Sequence, residues 1–194
     1  MNNLANKQDI LKNLSKKKVI VMGDLFIDEY IFGLTNRISP EAPVPVVNFK
    51  NSKINLGGAG NVIANLSNLN LNVIPISILG TDNISDKIEN FLNKRKISTK
   101  GIFKDKRYNG IKKTRVMVKN YQIVRIDYEN INENITVHYF NKIKKFIDQN
   151  ISNLDFLIIS DYGKGFCDKK IVKYVIKLCK KKKEKVLIDP RKKL

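Results

Sequence analysis

The chain has 194 residues, of which 42% are hydrophobic, and a formal net charge of +19 from 37 Lys and Arg against 18 Asp and Glu. This length and composition predict one globular domain, and the longest apolar runs fall far below the ~20 residues that a transmembrane helix needs. The lysines are spread along the chain without an RNP, zinc-finger or KH-like pattern. The charge therefore favours solvated surfaces over nucleic-acid binding.

Rare residue types and the first residues narrow the class further. Residues 1–18 show no apolar core or cleavage site of an export signal, and Cys167 and Cys179 have neither zinc-knuckle nor disulfide-framework spacing. His138 is the single histidine, which makes a His/Cys metal site or a His-based triad improbable. We expect a cytoplasmic protein without a membrane segment, in which residues 1–17 form an N-terminal extension.

Apolar runs of strand length alternate with segments of helical period, which predicts an α/β fold with a largely parallel sheet. In chain order, we expect a strand at 18–22, a helix at about 58–68, a strand at 73–79, helices at about 84–94 and 137–149, a strand at 156–160, a helix at 169–182 and a strand at 185–188.

Two stretches interrupt this alternation and read as antiparallel strand pairs. In the first, residues 29–33 and 44–49 bracket a segment with Pro40 and Pro43, which exclude a helix. In the second, residues 113–119 and 123–129 flank a hairpin turn expected at Asn120-Tyr121. We expect these segments, about 29–50 and 113–129, to form a small β lid beside a domain covering residues 18–194.

A glycine cluster, Gly57-Gly58-Ala59-Gly60-Asn61, opens the first predicted helix. Glycines there let backbone N–H groups approach a ligand at the positive end of the helix. The spacing is not that of a dinucleotide fingerprint, because Ile63 stands where the third glycine belongs, and no Walker A loop occurs in the chain. Taken alone, the cluster is equally typical of a glycine turn that merely begins a helix.

Carboxylates follow two of the predicted strands. Asp24 and Asp28 come after the first strand, and Asp161 follows the strand at 156–160 with Lys164 close behind it. Ligands of parallel α/β sheets bind beyond the carboxyl ends of the strands, and carboxylates accept hydrogen bonds from vicinal hydroxyls. Each Asp has an ordinary alternative as a helix or turn cap. Together with the glycine cluster, these residues favour one converging site for a polyol.

Several motifs taken together resemble a known family. They are Gly57-Gly58-Ala59-Gly60-Asn61 with Gly80, Gly23-Asp24-x-x-x-Asp28-x-Tyr30, the run Arg37-Ile38-Ser39-Pro40-Glu41-Ala42-Pro43-Val44-Pro45-Val46-Val47, Ser160-Asp161-Tyr162-x-Lys164-Gly165 and Ile188-Asp189-Pro190. The chain resembles the ribokinase-like carbohydrate kinases and, among them, the D-glycero-β-D-manno-heptose-7-phosphate kinases. It departs from the family's first signature at Ile63 and Asn70.

The resemblance implies a ribokinase-like fold and transfer of phosphate from ATP, with Mg²⁺, to the anomeric hydroxyl of a heptose 7-phosphate, a step toward the ADP-heptose of lipopolysaccharide. It implies substrate-binding roles at the strand ends and the glycine cluster, namely for Asp24, Asp28, Gly57, Gly58, Asn61 and Asp161. Arg37, Arg125 and Lys164 are candidate partners of the substrate's own phosphate, with solvated surface cations as the equal alternative. Asp189 is the candidate on the nucleotide side.

The family's second signature, a glycine-rich Asp-x-x-Gly-Ala-Gly-Asp loop that supplies the base and the anion-stabilising amides, does not occur in this sequence. We therefore expect the C-terminal portion of the kinase fold to be missing and the isolated chain to be inactive, whether it is a fragment, a split-gene half or a degenerate relative. The alternatives are a kinase of another sugar phosphate and a non-catalytic remnant or dimerisation module. Exposed lid edges predict a homodimer through the lid.

Overall fold

The structure is a computed structural model that describes residues 9, 12–129, 135–152 and 154–191. Most of the predicted N-terminal extension, residues 1–17, lies outside these ranges. In chain order the elements are β1 (Lys18–Gly23), β2 (Leu25–Ile38), β3 (Pro45–Gly58), α1 (Ala59–Asn68), β4 (Asn72–Leu79), α2 (Asn83–Lys94), β5 (Ile102–Lys104), β6 (Ile111–Val118), β7 (Tyr121–Tyr128), α3 (Ile135–Asn150), β8 (Phe156–Ser160), α4 (Lys169–Lys182) and β9 (Lys185–Asp189).

The main sheet is parallel, as the sequence predicts, with strand order β5-β4-β1-β8-β9. The chain builds outward from β1 through β4 to β5, and later adds β8 and β9 on the other side of β1. The strand order therefore reverses between β1 and β8. In open α/β sheets the crevice beyond such a switch point is where ligands bind.

Helices cover both faces of this sheet because its strands are apolar on both. Val19 and Val21 of β1 pack with α1 and α2, while Ile20 and Met22 pack with α3 and α4. All four side chains are fully buried. Strands buried on two faces show continuous rather than alternating hydrophobicity, which is why the run at 18–22 predicts β1 so directly. At the edge of the sheet lies β9, where Leu187 is 57% exposed.

The second sheet, the lid, has the order β3-β2-β6-β7. Its outer pairs, β2 with β3 and β6 with β7, are antiparallel as expected, but β2 and β6 pair in parallel, so the lid is mixed. The prediction of a parallel main sheet with a second, small sheet is confirmed.

The lid strands differ in detail from the sequence prediction. β2 and β3 are 14 residues each, far longer than the predicted runs, and reach the glycine cluster at Gly58. The predicted turn at Asn120-Tyr121 is wrong by one residue, because Tyr121 pairs with Val118 and the turn is Lys119-Asn120. Lys119 takes a positive φ of 54° there.

Much of the lid is open to solvent. Every residue of β7 is exposed, as is most of β3 before Leu56. Large apolar side chains of the lid are also exposed, with Ile38 of β2 62%, Phe49 of β3 66% and Tyr121 of β7 74% exposed. Among the residues that the structure describes, no helix has the length and apolarity that crossing a lipid bilayer requires.

Candidate functional site

The candidate site begins at the switch point, where β1 and β8 end side by side. Gly23 is paired with Ser160 in the parallel register. A Cβ on Gly23 would lie 2.1 Å from the Ser160 carbonyl oxygen, so only glycine permits this approach. Asp24 and Asp161 follow directly, which brings the two strand-end carboxylates predicted from the sequence to the same edge of the sheet.

The carboxylate of Asp24 holds the loop that follows β8. Its side chain is fully buried, and its two carboxylate oxygens accept hydrogen bonds from the backbone amides of Tyr162, Lys164 and Phe166 at 3.0, 3.1 and 3.0 Å. Burial raises the pKa of the Asp24 carboxyl, against the opposing effect of the three amides. The sequence places Asp24 among the sugar-binding residues, whereas the structure commits its carboxylate to the loop after β8.

Gly57 and Gly58 are the last two residues of β3, where the chain turns directly into α1, and they form the glycine turn. Gly58 has a φ of +60°, which glycine adopts at little cost, and the amide of Ala59 donates to the Asp24 carbonyl at 3.0 Å. The ring of Phe26 packs against both glycines, where a Cβ would lie 2.2 and 2.5 Å from its carbons. The glycine turn is therefore packed directly on the ring of Phe26.

Asp28 lies on β2, on the same face of the lid as Phe26. A Cβ on Gly57 would lie 2.4 Å from its Oδ2, so the carboxylate sits directly against the glycine turn. Its Oδ1 accepts a hydrogen bond from the guanidinium of Arg115, which also lies 5.4 Å from the ring centroid of Tyr30. Both partners of this ion pair keep about a fifth of their side-chain surface exposed, at 19% for Asp28 and 21% for Arg115.

Charged side chains continue across this face of the lid, because residues paired across neighbouring strands point to the same side. One row of register partners is Asn55, Asp28, Lys113 and Asp127, and the next is Lys53, Tyr30, Arg115 and Arg125. Lys113 lies 3.1 Å from Asp127, and Arg125 lies 2.9 Å from the other oxygen of Asp127. The face thus presents a hydroxyl acceptor with several cations beside it.

Lys164 connects the loop after β8 to the lid. The residue is 7% exposed, and its ammonium donates to Glu129, just past the end of β7. Lys113 approaches the same oxygen of Glu129 at 3.6 Å. The hydrogen bond from Lys164 lowers the pKa of Glu129. Lys164 therefore reaches the site, but a ligand phosphate would have to compete with Glu129 for it.

Asp161 and Asp189 lie together at the ends of β8 and β9. The amide of Asp161 donates to the Asp189 carbonyl at 3.0 Å, and Asp161 Oδ1 accepts from the amide of Gly163 at 2.8 Å. Within the described ranges, no three His, Cys, Asp or Glu side chains come together as a metal ion would need. These residues do not form a magnesium site by themselves.

The structure does not bring every predicted residue to the site. Arg37 is exposed near the far end of β2, nine residues and about 30 Å along the strand from Asp28. Arg125 lies on the Asp28 face but is engaged with Asp127. Asn61 lies in the first turn of α1 with its side chain exposed.

Arg115, Lys113 and Glu129 are the site residues that sequence reasoning missed. Lys113 and Arg115 alternate with Thr114 in a predicted strand, so the sequence could have shown that they share a face. What it could not show is the parallel pairing of β2 with β6, which brings Arg115 to Asp28 across 87 residues of chain.

Comparison with known proteins agrees with this architecture. A protein named bifunctional protein HldE in Aliarcobacter butzleri is 42% identical over 92% of this chain, and one of the same name in Helicobacter acinonychis is 38% identical over 90%. The chain spans 37% and 38% of these relatives' lengths.

Solved structures share the fold at low sequence identity. A putative sugar kinase from Clostridium perfringens has a TM-score of 0.64 at 17% identity, with 91% of this chain and 52% of that one covered. A putative phosphofructokinase from Staphylococcus aureus has a TM-score of 0.65 at 13% identity, with 88% and 52% covered. The family model described as pfkB family carbohydrate kinase matches residues 16–193, nearly the whole chain. The chain therefore belongs to the pfkB family of carbohydrate kinases.

Proposed function

We propose that this chain forms the sugar-binding part of an ATP-dependent kinase that phosphorylates the anomeric hydroxyl of D-glycero-β-D-manno-heptose 7-phosphate, giving the 1,7-bisphosphate. The observation that carries the proposal is the pairing of Asp28 with Arg115 beside the Gly57-Gly58 turn. It puts a carboxylate, which accepts from hydroxyls, next to a guanidinium, which binds phosphate. The resemblance of its motifs to those of the D-glycero-β-D-manno-heptose-7-phosphate kinases supports a heptose as the sugar.

The residues divide the work of binding. Asp28 accepts hydrogen bonds from sugar hydroxyls against the glycine turn, with Asn61 and Asp161 bordering the crevice at α1 and β8. Arg115, with Lys113 and Lys164 near it, neutralises the phosphate that the substrate already carries. Arg125 pairs with Asp127 on the same face of the lid. Arg37, about 30 Å from Asp28 along β2, does not contact the substrate in this proposal.

ATP is the second substrate in this proposal, and Asp189 borders its side of the crevice at the end of β9. Mg²⁺ bound with ATP would neutralise the charge that develops during phosphoryl transfer. What the residues of this chain do is bind and orient the acceptor sugar.

Calorimetric titration of the chain tests the substrate. Heptose 7-phosphate should bind about tenfold or more tightly than the unphosphorylated heptose, because a charge-assisted hydrogen bond contributes ~1.5–3 kcal/mol. Arg115→Gln should remove this preference, while Arg95→Gln should keep it, because Arg95 is an exposed residue just after the C-terminal end of α2. Equal affinity for the two sugars in the unsubstituted chain would contradict a phosphate subsite, and tighter binding of another sugar phosphate would reassign the substrate.

Turnover is a separate test. The chain alone should form no heptose 1,7-bisphosphate from ATP, because the Asp-x-x-Gly-Ala-Gly-Asp loop is absent from its sequence. Activity that appears only when the C-terminal half of a complete relative is added would identify a complementing half. Turnover by the chain alone would contradict the assignment of its role.

Self-association through the lid is part of the proposal. The lid exposes the apolar side chains of Ile38, Phe49 and Tyr121. Its two edge strands, β3 and β7, each have one side without a partner strand within the described chain. Such edges and patches are ordinarily covered by a partner. A second copy of the lid offers the same strands, which makes a homodimer the simplest cover.

A further inference from the structure

We propose that Asp24 is a positioning residue whose carboxylate and carbonyl hold the 162–166 loop and the Gly57-Gly58 turn in one fixed arrangement, on which substrate affinity depends. The affinity part of this inference rests on the proposed function. The structural part, that one residue couples two loops on either side of the crevice, rests on geometry alone. The contacts of the Asp24 carboxylate with the 162–166 loop and of its carbonyl with the glycine turn together form the Asp24 joint.

Both carboxylate oxygens of Asp24 accept hydrogen bonds from backbone amides of the 162–166 loop. Oδ2 accepts from the amides of Tyr162 and Lys164, and Oδ1 accepts from the amide of Phe166. These partners are some 140 residues away in the chain, and the aspartate is fully buried. A buried carboxylate with three amide donors and no solvent contact fixes a loop far more strongly than an exposed cap does.

The carbonyl half of the joint holds the other loop. The Asp24 carbonyl accepts from Ala59, the first residue of α1, and a Cβ on Gly58 would lie 2.4 Å from the same oxygen. One step back, the Ser160 carbonyl leaves no room for a Cβ on Gly23. The Gly23-Asp24 pair thus lies in contact with both loops, and no side chain fits between them.

The arrangement that Asp24 fixes is the one that carries the polar groups of the site. The amide of Lys164 is one of the three that donate to Asp24, and its ammonium donates to Glu129 at the lid. Tyr162 carries the first clamped amide, and its ring meets Phe26 edge-on with centroids 5.4 Å apart. Because Phe26 packs on the glycine turn, a shift of the 162–166 loop would move both the Lys164–Glu129 contact and the glycine turn.

Asp24→Asn tests the joint because asparagine has nearly the same shape but only one acceptor oxygen. Its NH₂ group would face at least one amide N–H, leaving buried donors unsatisfied. In the full 194-residue chain, we expect faster amide hydrogen exchange in both 57–61 and 162–166, by about tenfold or more, and about tenfold weaker binding of heptose 7-phosphate. Faster exchange with affinity unchanged within about twofold would overturn the link to binding.

Asp82→Asn is the matched control. Asp82 also accepts from three backbone amides, those of Ile84, Ser85 and Gly110, and likewise follows a strand of the main sheet, yet it touches neither loop. We expect Asp82→Asn to lower the unfolding midpoint in urea while the heptose 7-phosphate affinity stays within about twofold of the unsubstituted chain. Equal losses of affinity in the two variants would show that Asp24 acts only through general stability, and would contradict a positioning role.

Two further measurements test the role of Asp24. If Asp24→Asn does not fold, Asp24→Ser, which leaves room for a bridging water, is judged by the same exchange and binding criteria. The unsubstituted chain is itself a test, because rapid exchange of the Tyr162, Lys164 and Phe166 amides would contradict the joint. If that chain binds no sugar phosphate, the proposed function fails. The structural role of Asp24 is still tested in that case. Faster exchange of both loops in Asp24→Asn would support it, and faster exchange of only one loop would contradict it.

Discussion

The parallel main sheet and the lid sheet are stabilised by different means. In the main sheet, β1 is buried on both faces, with Val19 to Met22 fully inaccessible, and helices cover each side. In the lid, β7 is exposed throughout, and its Asp127 forms ion pairs with Lys113 of β6 and with Arg125 of the same strand. The comparison indicates a rigid framework that fixes the glycine turn and the strand-end carboxylates, and a more loosely held sheet that brings cations to them.

Truncating one isoleucine in each sheet gives the largest contrast. Ile20→Ala in β1 should lower the free energy of unfolding by about 2–5 kcal/mol, because it leaves a cavity between fully packed layers. Ile126→Ala in β7, where the side chain is 42% exposed, should cost about 1 kcal/mol or less. Urea denaturation of both variants measures the difference. Similar costs would mean that the lid is packed in solution, for example by a partner.

Asp28→Asn separates binding from stability. Loss of the charged acceptor should weaken heptose 7-phosphate binding by about 1.5–3 kcal/mol, whereas the unfolding midpoint should change little because the Asp28–Arg115 pair is partly solvated. Calorimetry and urea denaturation of the same preparation give both values. An unchanged affinity would remove Asp28 from the site, and Glu41→Gln at the exposed lid tip is a suitable control.

Acid should loosen the lid before the main sheet. The hydrogen bond from Lys164 lowers the pKa of Glu129. Burial raises the pKa of Asp127, but Lys113 and Arg125 together outweigh burial and lower it. A lowered carboxyl pKa stabilises the fold above the ordinary values of 4.5 and 3.8, and this stabilisation is lost as the pH falls through the lower folded values. Around the main sheet the signs are mixed, because burial raises the pKa of Asp24 whereas hydrogen bonds lower the pKa values of Asp82, Asp105 and Asp155.

Amide exchange of β7 and β1, corrected for intrinsic rates, measures this difference. Between pH 6 and pH 3, the protection of β7 should fall while that of β1 holds. Parallel loss of protection in both strands would mean that the two sheets do not differ in their dependence on charge.

The smallest effect on stability is expected at the exposed lid surface. Phe49→Ser should change the free energy of unfolding by about 0.5 kcal/mol or less, because the ring is 66% exposed in the single chain. If lids pair between copies, the same substitution should weaken self-association in sedimentation equilibrium. A well-folded monomer of the unsubstituted chain at high concentration would contradict the homodimer.

The same difference between the sheets explains what the sequence could predict. Continuous apolar runs and amphipathic periodicity locate β1, β8, α2 and α4 to within a residue or two, because burial dictates those residues. Residues 50–53 of β3 are polar and exposed and are followed by a single apolar residue, Ile54, so neither propensity nor alternation indicates a strand there. At only three residues, β5 is too short to give a pattern.

The candidate site was predictable only where chemistry and sequence position coincide. Asp28, the glycine turn and Asp161 follow strands or open a helix, and strand order brings them to one edge. Arg115 depends on a non-local parallel pairing, and the clamp on Asp24 depends on a loop some 140 residues away, neither of which a local pattern encodes. Arg37 shows the converse, since it stands in a recognisable motif yet lies at the far end of the lid.

In the proposed complex, the sugar phosphate binds between the main sheet and the lid and contacts both. Hydrogen exchange of the chain with and without heptose 7-phosphate tests it most directly. We predict that the ligand slows exchange in three separate segments, the glycine turn at 57–61, the loop at 161–166 and strand β6 at 111–118. Protection confined to one sheet, or absent at concentrations where calorimetry shows binding, would contradict the account.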